Sequence, residues 1–337
     1  MRATVIQAPW DIRLEDVPDP KIEEPTDAVV RVVASCICGS DLWAYRGENQ
    51  FDPYRIGHEF VGVVEEVGSQ VSSIGVGDFV IAPFLYSDNT CDNCRNGVQS
   101  ACRNGGGYEG CQAEYVRVPF ADGTLVATPG MPDADLLPSL LTLSDVMATG
   151  WHAARCAHVG PGSSVAVVGD GAVGLCGVLA ARMMGAEQVI AMSRHADRQE
   201  IAKAFGATDI VEARGDEGVE AVQELTGGTG ADSVLECVGT GPAMLQALGA
   251  ARAGGSVGFV GVPHGVELPI RQMFRRNVGV RGGSAPVRNY LPELMSAVLA
   301  GEIQPGRVFD SELPLDEVAE GYAAMDERRA IKVLLRP

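Results

Sequence analysis

Residue types that bind a transition metal occur early in the chain. Cys38 begins the segment "CGSD", and His58 and Glu59 stand side by side in "GHEFVG". Thiolate, imidazole and carboxylate groups are the usual ligands of zinc, and a catalytic zinc takes three of them and leaves one position for water or substrate. The hydroxyl of Ser40 is placed to relay a proton, and the carboxylate of Asp41 to orient a ligating imidazole. The pattern predicts a catalytic zinc site.

A second group of cysteines follows in "SDNTCDNCRNGVQSAC". Cys91, Cys94 and Cys102 supply three thiolates, whereas a structural zinc almost always has four ligands. Asp88, just upstream, or Cys111, in "GCQAEY", would complete the set. We therefore expect a structural zinc with one of these two residues as its fourth ligand; the alternative is a lobe without metal.

A glycine-rich motif lies in the middle of the chain. The segment "VAVVGDGAVG" has Gly169, Gly171 and Gly174 in G-x-G-x-x-G spacing, with Ala172 and Val173 between the last two glycines. It follows an apolar strand-like run and opens a helical pattern. The three glycines allow a tight turn, close approach to a pyrophosphate, and close packing of helix on strand. Free N–H groups at the helix N-terminus attract the phosphates. The motif predicts a dinucleotide site.

The next strand ends in a segment that indicates which dinucleotide is bound. It reads "AMSRHADR", with Ser193, Arg194 and Arg198 in the positions that face the adenosine ribose. An acid there binds the 2′-hydroxyl of NAD, whereas arginine accommodates the 2′-phosphate of NADP. The first acid is Asp197, which we place in the following helix, so that no carboxylate remains for the 2′-hydroxyl. We expect NADP in preference to NAD.

The elements that position these residues differ between the two parts of the chain. The first 130 residues or so contain short strand patterns with frequent turns, such as "DAVVRVVAS" and "VGVVEEVG". From about residue 146, apolar strands alternate with helical patterns, which is typical of a parallel sheet covered on both faces. The tail is mixed and ends in the strand-like "AIKVLLRP". We predict an α/β protein with three segments: 1–146, antiparallel; 147–281, doubly wound; and 282–337, returning to the first domain.

Composition excludes several classes of partner. The chain has 337 residues and a formal net charge of −18, which argues against binding to nucleic acid or to an anionic membrane surface. It has no apolar run long enough to span a membrane and no recognisable signal peptide. We therefore expect a cytoplasmic protein. The nine cysteines favour metal binding or core packing over a disulfide framework.

The motifs together resemble those of the zinc-dependent medium-chain dehydrogenase/reductase (alcohol dehydrogenase) family. In order along the chain they are "CGSD", "GHEFVGVVEEVG", "VGDFV", the C-x-x-C at Cys91, "LTLSDVMATGWHAA", "VGDGAVG" and "ECVG". The resemblance covers essentially the whole length. It implies a GroES-like antiparallel β catalytic domain, a Rossmann domain with a doubly wound parallel sheet, and an active site in the cleft between them.

The resemblance also assigns roles around the metal. It implies that Cys38 and His58 ligate the catalytic zinc, together with Asp145, which stands where most members have cysteine and one branch has aspartate. It gives Glu59 the role of a reserve ligand at the fourth position. In the structural zinc lobe the family has four cysteines, and Gly97 stands at the third of those positions here, which leaves the fourth ligand open.

Further assignments concern substrate and cofactor. The resemblance implies that Ser40 hydrogen-bonds the substrate oxygen and that Thr149 lies beside the nicotinamide. Many members carry a proton-relay histidine where this chain has Trp43, so the proton must pass through water, the nicotinamide ribose or a group such as His152. Seven further positions match residues that contact the cofactor, the last of them a basic residue near the pyrophosphate: Cys237, Val238, Gly261, Val262, Gly282, Gly283 and Lys332.

These assignments imply an NADP-dependent zinc alcohol dehydrogenase. The reaction would be reversible hydride transfer between a primary or secondary alcohol and NADP, giving an aldehyde or ketone. The alternatives are a polyol or sugar dehydrogenase of the same family and a non-catalytic protein that binds NADP. We further expect a small-molecule substrate and a homodimer or homotetramer.

Overall fold

The computed structural model describes residues 1–48 and 52–337. The chain forms two compact units: unit 1 comprises Met1–Ala148 and Pro286–Pro337, and unit 2 comprises Thr149–Ala285. The sequence boundaries at 146/147 and 281/282 lie within a few residues of these divisions. No helix of the described residues is long and apolar enough to cross a lipid bilayer.

The strands are numbered along the chain. They are β1 (Arg2–Ala8), β2 (Asp11–Asp16), β3 (Ala28–Cys36), β4 (Tyr54–Arg55), β5 (Phe60–Val67), β6 (Phe79–Ala82), β7 (Tyr115–Val118), β8 (Val126–Ala127), β9 (Ser164–Val168), β10 (Gln188–Met192), β11 (Asp209–Val211), β12 (Ala231–Glu236), β13 (Ala251–Phe259), β14 (Gly279–Gly282), β15 (Ser311–Pro314) and β16 (Val333–Arg336).

The α-helices are numbered in the same way. They are α1 (Asp41–Tyr45), α2 (Asp92–Arg95), α3 (Ala121–Thr124), α4 (Leu137–Thr142), α5 (Val146–Cys156), α6 (Ala172–Met183), α7 (Ala196–Ala204), α8 (Gly215–Leu225), α9 (Gly241–Ala250), α10 (Ile270–Arg276), α11 (Val287–Leu299) and α12 (Val318–Asp326). Short 3-10 helices cover Gln99–Ala101, Ala134–Leu136, Pro305–Val308 and Leu315–Glu317.

Unit 1 contains a seven-stranded sheet in the order β15-β16-β3-β5-β6-β8, with β7 also pairing with β3, and a three-stranded sheet in the order β2-β1-β4. All pairs are antiparallel except β15 with β16. The inner faces bury apolar side chains such as Val30, Phe60 and Val80. The predicted antiparallel domain and the predicted return of the C-terminal strand are therefore present, with one parallel pair at the sheet edge.

Unit 2 contains a six-stranded sheet in the order β11-β10-β9-β12-β13-β14, and every pair in it is parallel. Its strands are apolar runs such as "SVAVV" and "QVIAM", buried on both faces by the helices between them. The strand order reverses at β9, and in such sheets ligands bind beyond the carboxyl ends of the strands at that point. The predicted doubly wound sheet is confirmed.

Candidate active site

Strand pairing in unit 1 brings the ends of two strands together. In the antiparallel pair of β3 and β5, Ser35 lies opposite Phe60. Cys38 comes just after β3, and His58 just before β5. Because the two strands are antiparallel, both residues lie at the same end of the pair. Asp145 reaches this point from the residue before α5. Local register thus assembles side chains that are remote in sequence.

The ligand atoms of Cys38, His58, Glu59 and Asp145 all lie within 4.8 Å of one another. Asp145 Oδ2 lies 3.7 Å from Cys38 Sγ and 3.4 Å from His58 Nε2. Zinc bonds of about 2.0–2.3 Å place two tetrahedral ligand atoms about 3.3–3.8 Å apart. The spacing of these three side chains therefore fits a zinc ion.

The charges of this cluster also fit a cation. Burial raises the pKa of the Cys38 thiol, and the carboxylates of Asp145 and Glu59 raise it further. For His58, burial alone lowers the pKa, but Asp41 and Cys38 raise it well above its ordinary value. The carboxylates of Asp41, Glu59 and Asp145 thus outnumber the positive groups beside them, which are His58 and the Lys332 ammonium paired with Glu59. A divalent cation supplies the balance and stabilises the thiolate.

A carboxylate fixes the orientation of the imidazole. Asp41 Oδ1 lies 3.3 Å from His58 Nδ1, on the side of the ring opposite Asp145. Asp41 Oδ2 accepts hydrogen bonds from the backbone N–H of Cys38 at 3.0 Å and from Gln112 Nε2 at 3.3 Å. Because Nδ1–H then donates to Asp41, Nε2 is left as the ligating atom. This arrangement is the one expected of Asp41 from the sequence.

Gln112 and Tyr322 were not identified from the sequence. Gln112 Nε2 also donates to Cys36 O at 3.2 Å, and Tyr322 Oη donates to Gln112 Oε1 at 3.1 Å. Both side chains are completely buried. They form a chain of hydrogen bonds from Tyr322 through Gln112 to the carboxylate of Asp41. An isolated glutamine and an isolated tyrosine have no sequence signature for such a role.

Glu59 is held by a lysine from the other end of the chain. Glu59 Oε1 lies 2.7 Å from Lys332 Nζ, which also donates to Ile37 O at 3.2 Å. Glu59 Oε2 is buried and has no hydrogen-bond partner among the described residues. That unpartnered oxygen is the atom available to a metal in this cluster.

The position of Lys332 corrects one expectation. The sequence comparison with the family placed this lysine near the pyrophosphate of the cofactor, but its side chain is only 2% exposed and its ammonium is paired with Glu59. In the pairing of β16 with β3, Leu334 lies opposite Cys36, which brings Lys332 to the cluster that contains Cys38 and Glu59. An ammonium held in this way presents no free charge to a phosphate.

The second cluster forms a compact tetrad of Asp88, Cys91, Cys94 and Cys102. Cys91 Sγ lies 3.5 Å from Cys94 Sγ and 3.9 Å from Cys102 Sγ. Asp88 Oδ1 lies 3.4 Å from Cys94 Sγ and 3.3 Å from Cys102 Sγ. These separations are close to the edges of a zinc-centred tetrahedron, about 3.3–3.8 Å.

Hydrogen bonds prepare two of the four ligands for a metal. Backbone N–H groups of Arg103 and Cys94 lower the pKa of the Cys91 thiol to about 7. Burial raises the pKa of Asp88, but backbone N–H groups of Thr90 and Cys91 outweigh this effect and hold the pKa well below its usual range. Asp88 is therefore a stable carboxylate.

The tetrad decides between the two candidates for the fourth position. Asp88 is in it, and Cys111 is not: Cys111 is fully buried, and its thiol donates to Glu59 O at 3.4 Å. The expectation that Cys111 could complete this set is therefore wrong. Asn104, which donates to Asp88 Oδ2 at 2.6 Å, orients the aspartate and was not identified from the sequence.

Three further residues named from the sequence lie in helices or directly before one. Ser40 precedes α1 and is its N-cap, and Trp43 lies within α1, with Arg46 Cζ 5.9 Å from the centre of its ring. Thr149 lies in α5 and is 8% exposed. The roles expected for Ser40 and Thr149 toward substrate and nicotinamide stay predictions.

The glycine motif has the backbone that the sequence requires. Gly169 has a φ of 113°, a backbone conformation that residues with a side chain rarely adopt. Gly171 is the N-cap of α6. A Cβ atom on Gly174 would lie 1.9 Å from Gly169 O. A glycine is therefore required for α6 to pack this closely on the turn after β9. Ala172 and Val173 form the first turn of this helix.

The remaining positions expected to contact the cofactor lie just after β12 and β13 and at the end of β14. Val238 and Val262 are 41% and 53% exposed, which is unusual for valine in a sheet region and suits a ligand surface. A Cβ on Gly261 would meet Gly239 N at 2.0 Å, and one on Gly282 would meet Phe259 O at 1.8 Å. The other two positions are Cys237 and Gly283.

A carboxylate from the turn after β9, Asp170, lies against the residues that follow β10. Ser193 Oγ donates to Asp170 Oδ2 at 2.8 Å, and Arg198 Nη1 lies 3.2 Å from Asp170 Oδ1. The expectation that no carboxylate lies near Ser193 was wrong, because Asp170 reaches it from the neighbouring strand end. Arg194 is exposed and forms no salt bridge within residues 1–48 and 52–337.

Comparison with known proteins identifies the family. Residues 24–130 match the model for the alcohol dehydrogenase GroES-like domain, and residues 172–300 match the model for zinc-binding dehydrogenases. A probable zinc-binding alcohol dehydrogenase of Mycobacterium tuberculosis is 38% identical over all of this chain and 89% of its own length. The two family models and this relative agree with the motifs on which the resemblance was based.

Two solved structures have the same fold. Alcohol dehydrogenase TADH from Thermus sp. ATN1 superposes with a TM-score of 0.93 at 34% identity, over all of this chain and 99% of that one. A protein of Sinorhizobium meliloti, provisionally assigned as a zinc-binding dehydrogenase and solved bound to NADP, superposes with a TM-score of 0.85 at 29% identity, over 100% and 99% of the two chains.

The chain therefore belongs to the zinc-dependent medium-chain dehydrogenase/reductase family, with a GroES-like domain and a Rossmann-type domain. Within that family it is an oxidoreductase of the zinc-type alcohol dehydrogenase group, acting on alcohols with zinc and a nicotinamide cofactor.

Proposed function

We propose that this protein transfers hydride reversibly between a primary or secondary alcohol and NADP, giving an aldehyde or a ketone. The observation that carries the proposal is the cluster of Cys38, His58 and Asp145, whose ligand atoms have the spacing expected of three zinc ligands. A non-catalytic NADP-binding protein would have no need of such a set.

Each residue of the site has a defined task. Cys38, His58 and Asp145 hold the metal, and Asp41 keeps the imidazole of His58 in the ligating tautomer. Zinc, when bound, lowers the pKa of a hydroxyl group beside it, and the nicotinamide ring accepts hydride. Ser40 accepts the hydroxyl proton of the alcohol and donates it again when a carbonyl compound is reduced.

The proton then leaves Ser40 by a route that does not depend on a histidine at position 43. His152 is a poor acceptor for it, because burial and the charges of Arg281 and Arg155 lower its pKa to about 4. A group with that pKa binds protons weakly near neutral pH. We therefore propose that water or the nicotinamide ribose carries the proton.

The preference for NADP rests on Arg194. This guanidinium is exposed at the end of β10 and forms no salt bridge with the described part of the chain. Guanidinium groups bind phosphate through paired hydrogen bonds. The NADP-bound relative from Sinorhizobium meliloti supports the proposal, since it shares the fold over the whole chain.

We also propose a structural zinc held by Asp88, Cys91, Cys94 and Cys102. It would tie the loop around α2 to the segment after Gln99–Ala101, two elements of only four and three residues. Such a site contributes directly to folding free energy.

A homo-oligomer is the proposed state of assembly. β14 is the outermost strand of the sheet in unit 2, and the neighbouring α10 exposes Phe274 and Ile270 at 80% and 63%. An open strand edge beside exposed apolar side chains is a surface that natural proteins usually cover. A second copy of this chain is the occupant we propose.

The reaction is tested directly with purified protein. NADP reduction is followed with a panel of primary alcohols, secondary alcohols, polyols and sugars, and NADPH oxidation with the matching aldehydes and ketones. Highest kcat/KM on simple alcohols or their carbonyl products would support the proposal, whereas a preference for polyols or sugars would favour the polyol dehydrogenase alternative. Metal-free protein that turns over at the full rate would refute zinc dependence.

A further inference from the structure

The second residue of the glycine motif joins the two strands that border the nucleotide site. Asp170 follows β9 and lies between Gly169 and Gly171. Its two carboxylate oxygens have different partners: Oδ2 accepts from Ser193 Oγ at 2.8 Å, and Oδ1 lies 3.2 Å from Arg198 Nη1. The side chains of Asp170 and Arg198 are only 11% and 12% exposed.

This pairing changes the electrostatics of the expected phosphate site. The negative charge of Asp170 cancels the positive charge of Arg198, and the hydroxyl proton of Ser193 is already donated. A phosphate dianion arriving here must displace Asp170 from both partners or lie beside a fixed negative charge. Either event opposes binding, because like charges at short range in a partly buried site repel strongly. A neutral ribose 2′-hydroxyl meets no such opposition.

Arg194 is the remaining guanidinium in the segment. It is exposed, and within the described part of the chain it forms no salt bridge. The site thus contains one arginine available to a phosphate, one neutralised by a carboxylate, and that carboxylate itself.

We propose that Asp170 is a specificity-determining residue that weakens binding of the adenosine 2′-phosphate and thereby keeps NAD usable beside NADP. The inference rests on the proposed function, in that unit 2 must bind a dinucleotide at the glycine motif. It differs from the usual arrangement, in which an acid at the end of the second strand makes the choice. Here the acid comes from the turn after the first strand and acts on the arginine and the serine of the second.

The alternative is that Asp170 only fastens the start of α7 to β9. Substitution would then loosen α7 and weaken every adenine nucleotide alike. The two readings differ in the sign of the effect on one ligand, so binding measurements separate them.

The test compares two fragments of the cofactors, adenosine 2′,5′-bisphosphate and adenosine 5′-monophosphate, by calorimetric titration of the full chain. Asp170→Asn keeps the size of the side chain and its hydrogen bond to Ser193, but removes the charge and releases Arg198. We expect the bisphosphate to bind about ten- to a hundredfold more tightly, the range for one added charged hydrogen bond. The monophosphate should change by less than about twofold, within the usual context dependence of a neutral contact.

Salt dependence supplies a second readout. Removing Asp170's charge leaves the site with one more unpaired positive charge, so the affinity for the bisphosphate should fall more steeply with ionic strength in the variant than in the wild type. A merely structural role of Asp170 would not change that slope.

Asp197→Asn is the matched control. Asp197 lies in the first turn of α7 and is exposed, so its substitution removes the same charge from the same region without releasing Arg198. We expect little change for either ligand. An equal gain in this control would overturn the specific role of Asp170.

The remaining outcomes are equally decisive. If Asp170→Asn does not fold, Asp170→Ser removes the same charge with a smaller group and should give the same gain. Unchanged or weaker binding of the bisphosphate in folded variants would overturn the inference. A wild type that binds the monophosphate better, combined with a gain in Asp170→Asn, would refute the NADP preference and support the inference. If neither ligand binds to the wild type or the variants, the dinucleotide site itself is refuted.

Discussion

Lys332 Nζ lies 2.7 Å from Glu59 Oε1 in the interior of unit 1, and the two side chains are 2% and 0% exposed. The lysine comes from the residue before β16, and the glutamate from the residue before β5. Lys332 occupies one oxygen of the carboxylate, while the other has no partner among the described residues and belongs to the metal cluster. The pair therefore fixes one oxygen of Glu59 and leaves the other free within the cluster of Cys38, His58 and Asp145.

Removal of the lysine should destabilise the fold and alter the metal site. Lys332→Met leaves the buried carboxylate of Glu59 without its cation, which costs about 3–5 kcal/mol when one partner of a buried pair is lost. The measurements are the free energy of unfolding in denaturant and the zinc content. Arg336→Met, which breaks an exposed pair with Glu312, is the control and should cost less than about 1 kcal/mol. Equal effects of the two substitutions would contradict the structural role of Lys332.

The ligand assignment predicts separate effects on metal and nucleotide. Cys38→Ser and His58→Ala should each abolish turnover and lower the zinc content, because three ligands are the minimum for a catalytic site. Binding of NADPH, followed by its fluorescence, should be largely retained, since the glycine motif belongs to unit 2. Cys176→Ala, a buried cysteine of α6 outside both clusters, is the control. Full activity in either ligand variant would refute the assignment.

Asp41 should act through His58 and not on the substrate. Asp41→Asn keeps the size of the side chain but weakens the acceptor for Nδ1–H, and loss of such a partner typically lowers metal affinity or activity about 10- to 100-fold. The measurement is zinc affinity by competition with a chelator, together with kcat at saturating zinc. Recovery of kcat with added zinc would indicate a role in holding the metal. Unchanged zinc affinity would show that the 3.3 Å contact has no such function.

Local patterns in the sequence were sufficient for the architecture. Apolar runs such as those of β9 and β10 indicated the parallel sheet, and the glycine motif after β9 fixed the start of α6. The same kind of pattern indicated the antiparallel strands of unit 1. These features depend on neighbours along the chain, so a single sequence expresses them.

Long-range pairings were not accessible in the same way. The family resemblance placed Lys332 near the pyrophosphate, whereas the pairing of β16 with β3 brings it to Glu59. Asp170 occupies a position that the glycine motif leaves unspecified, and its contact with Ser193 at the end of the adjacent strand has no local sequence signal. In both cases the residue that makes the contact, Glu59 for Lys332 and Ser193 for Asp170, lies outside the local sequence pattern.

The tetrad of the second lobe gives a discriminating pair of variants. Asp88→Asn should lower zinc content and melting temperature, because it replaces a charged ligand at 3.3–3.4 Å from two thiols. Cys111→Ser should leave the zinc content unchanged, since Cys111 lies outside the tetrad. The measurements are zinc per chain and thermal unfolding. Zinc loss in Cys111→Ser but not in Asp88→Asn would reverse the assignment of the fourth ligand.

The choice of cofactor should respond to Arg194 more than to Ser193. Asp170 Oδ2 lies 2.8 Å from Ser193 Oγ, so Ser193→Asp would bring two carboxylates together. Any change in cofactor binding would then reflect repulsion between these carboxylates as well as cofactor specificity. Arg194→Gln avoids this problem. It removes the exposed guanidinium and should weaken NADP about ten- to a hundredfold, the contribution of one charged hydrogen bond, with little effect on NAD.

The measurement is kcat/KM for NADP and NAD at fixed ionic strength, because salt screens the exposed pair of arginine and phosphate. Arg182→Gln is the matched control: Arg182 lies on α6 of the same unit, and its guanidinium donates to Ala186 O and Glu187 O, which lie outside the 193–198 segment. Its substitution should leave the ratio of the two kcat/KM values unchanged, even if stability falls. A wild-type enzyme that prefers NAD, or an Arg194→Gln variant with an unaltered ratio, would contradict the proposed phosphate contact and leave the zinc assignment untouched.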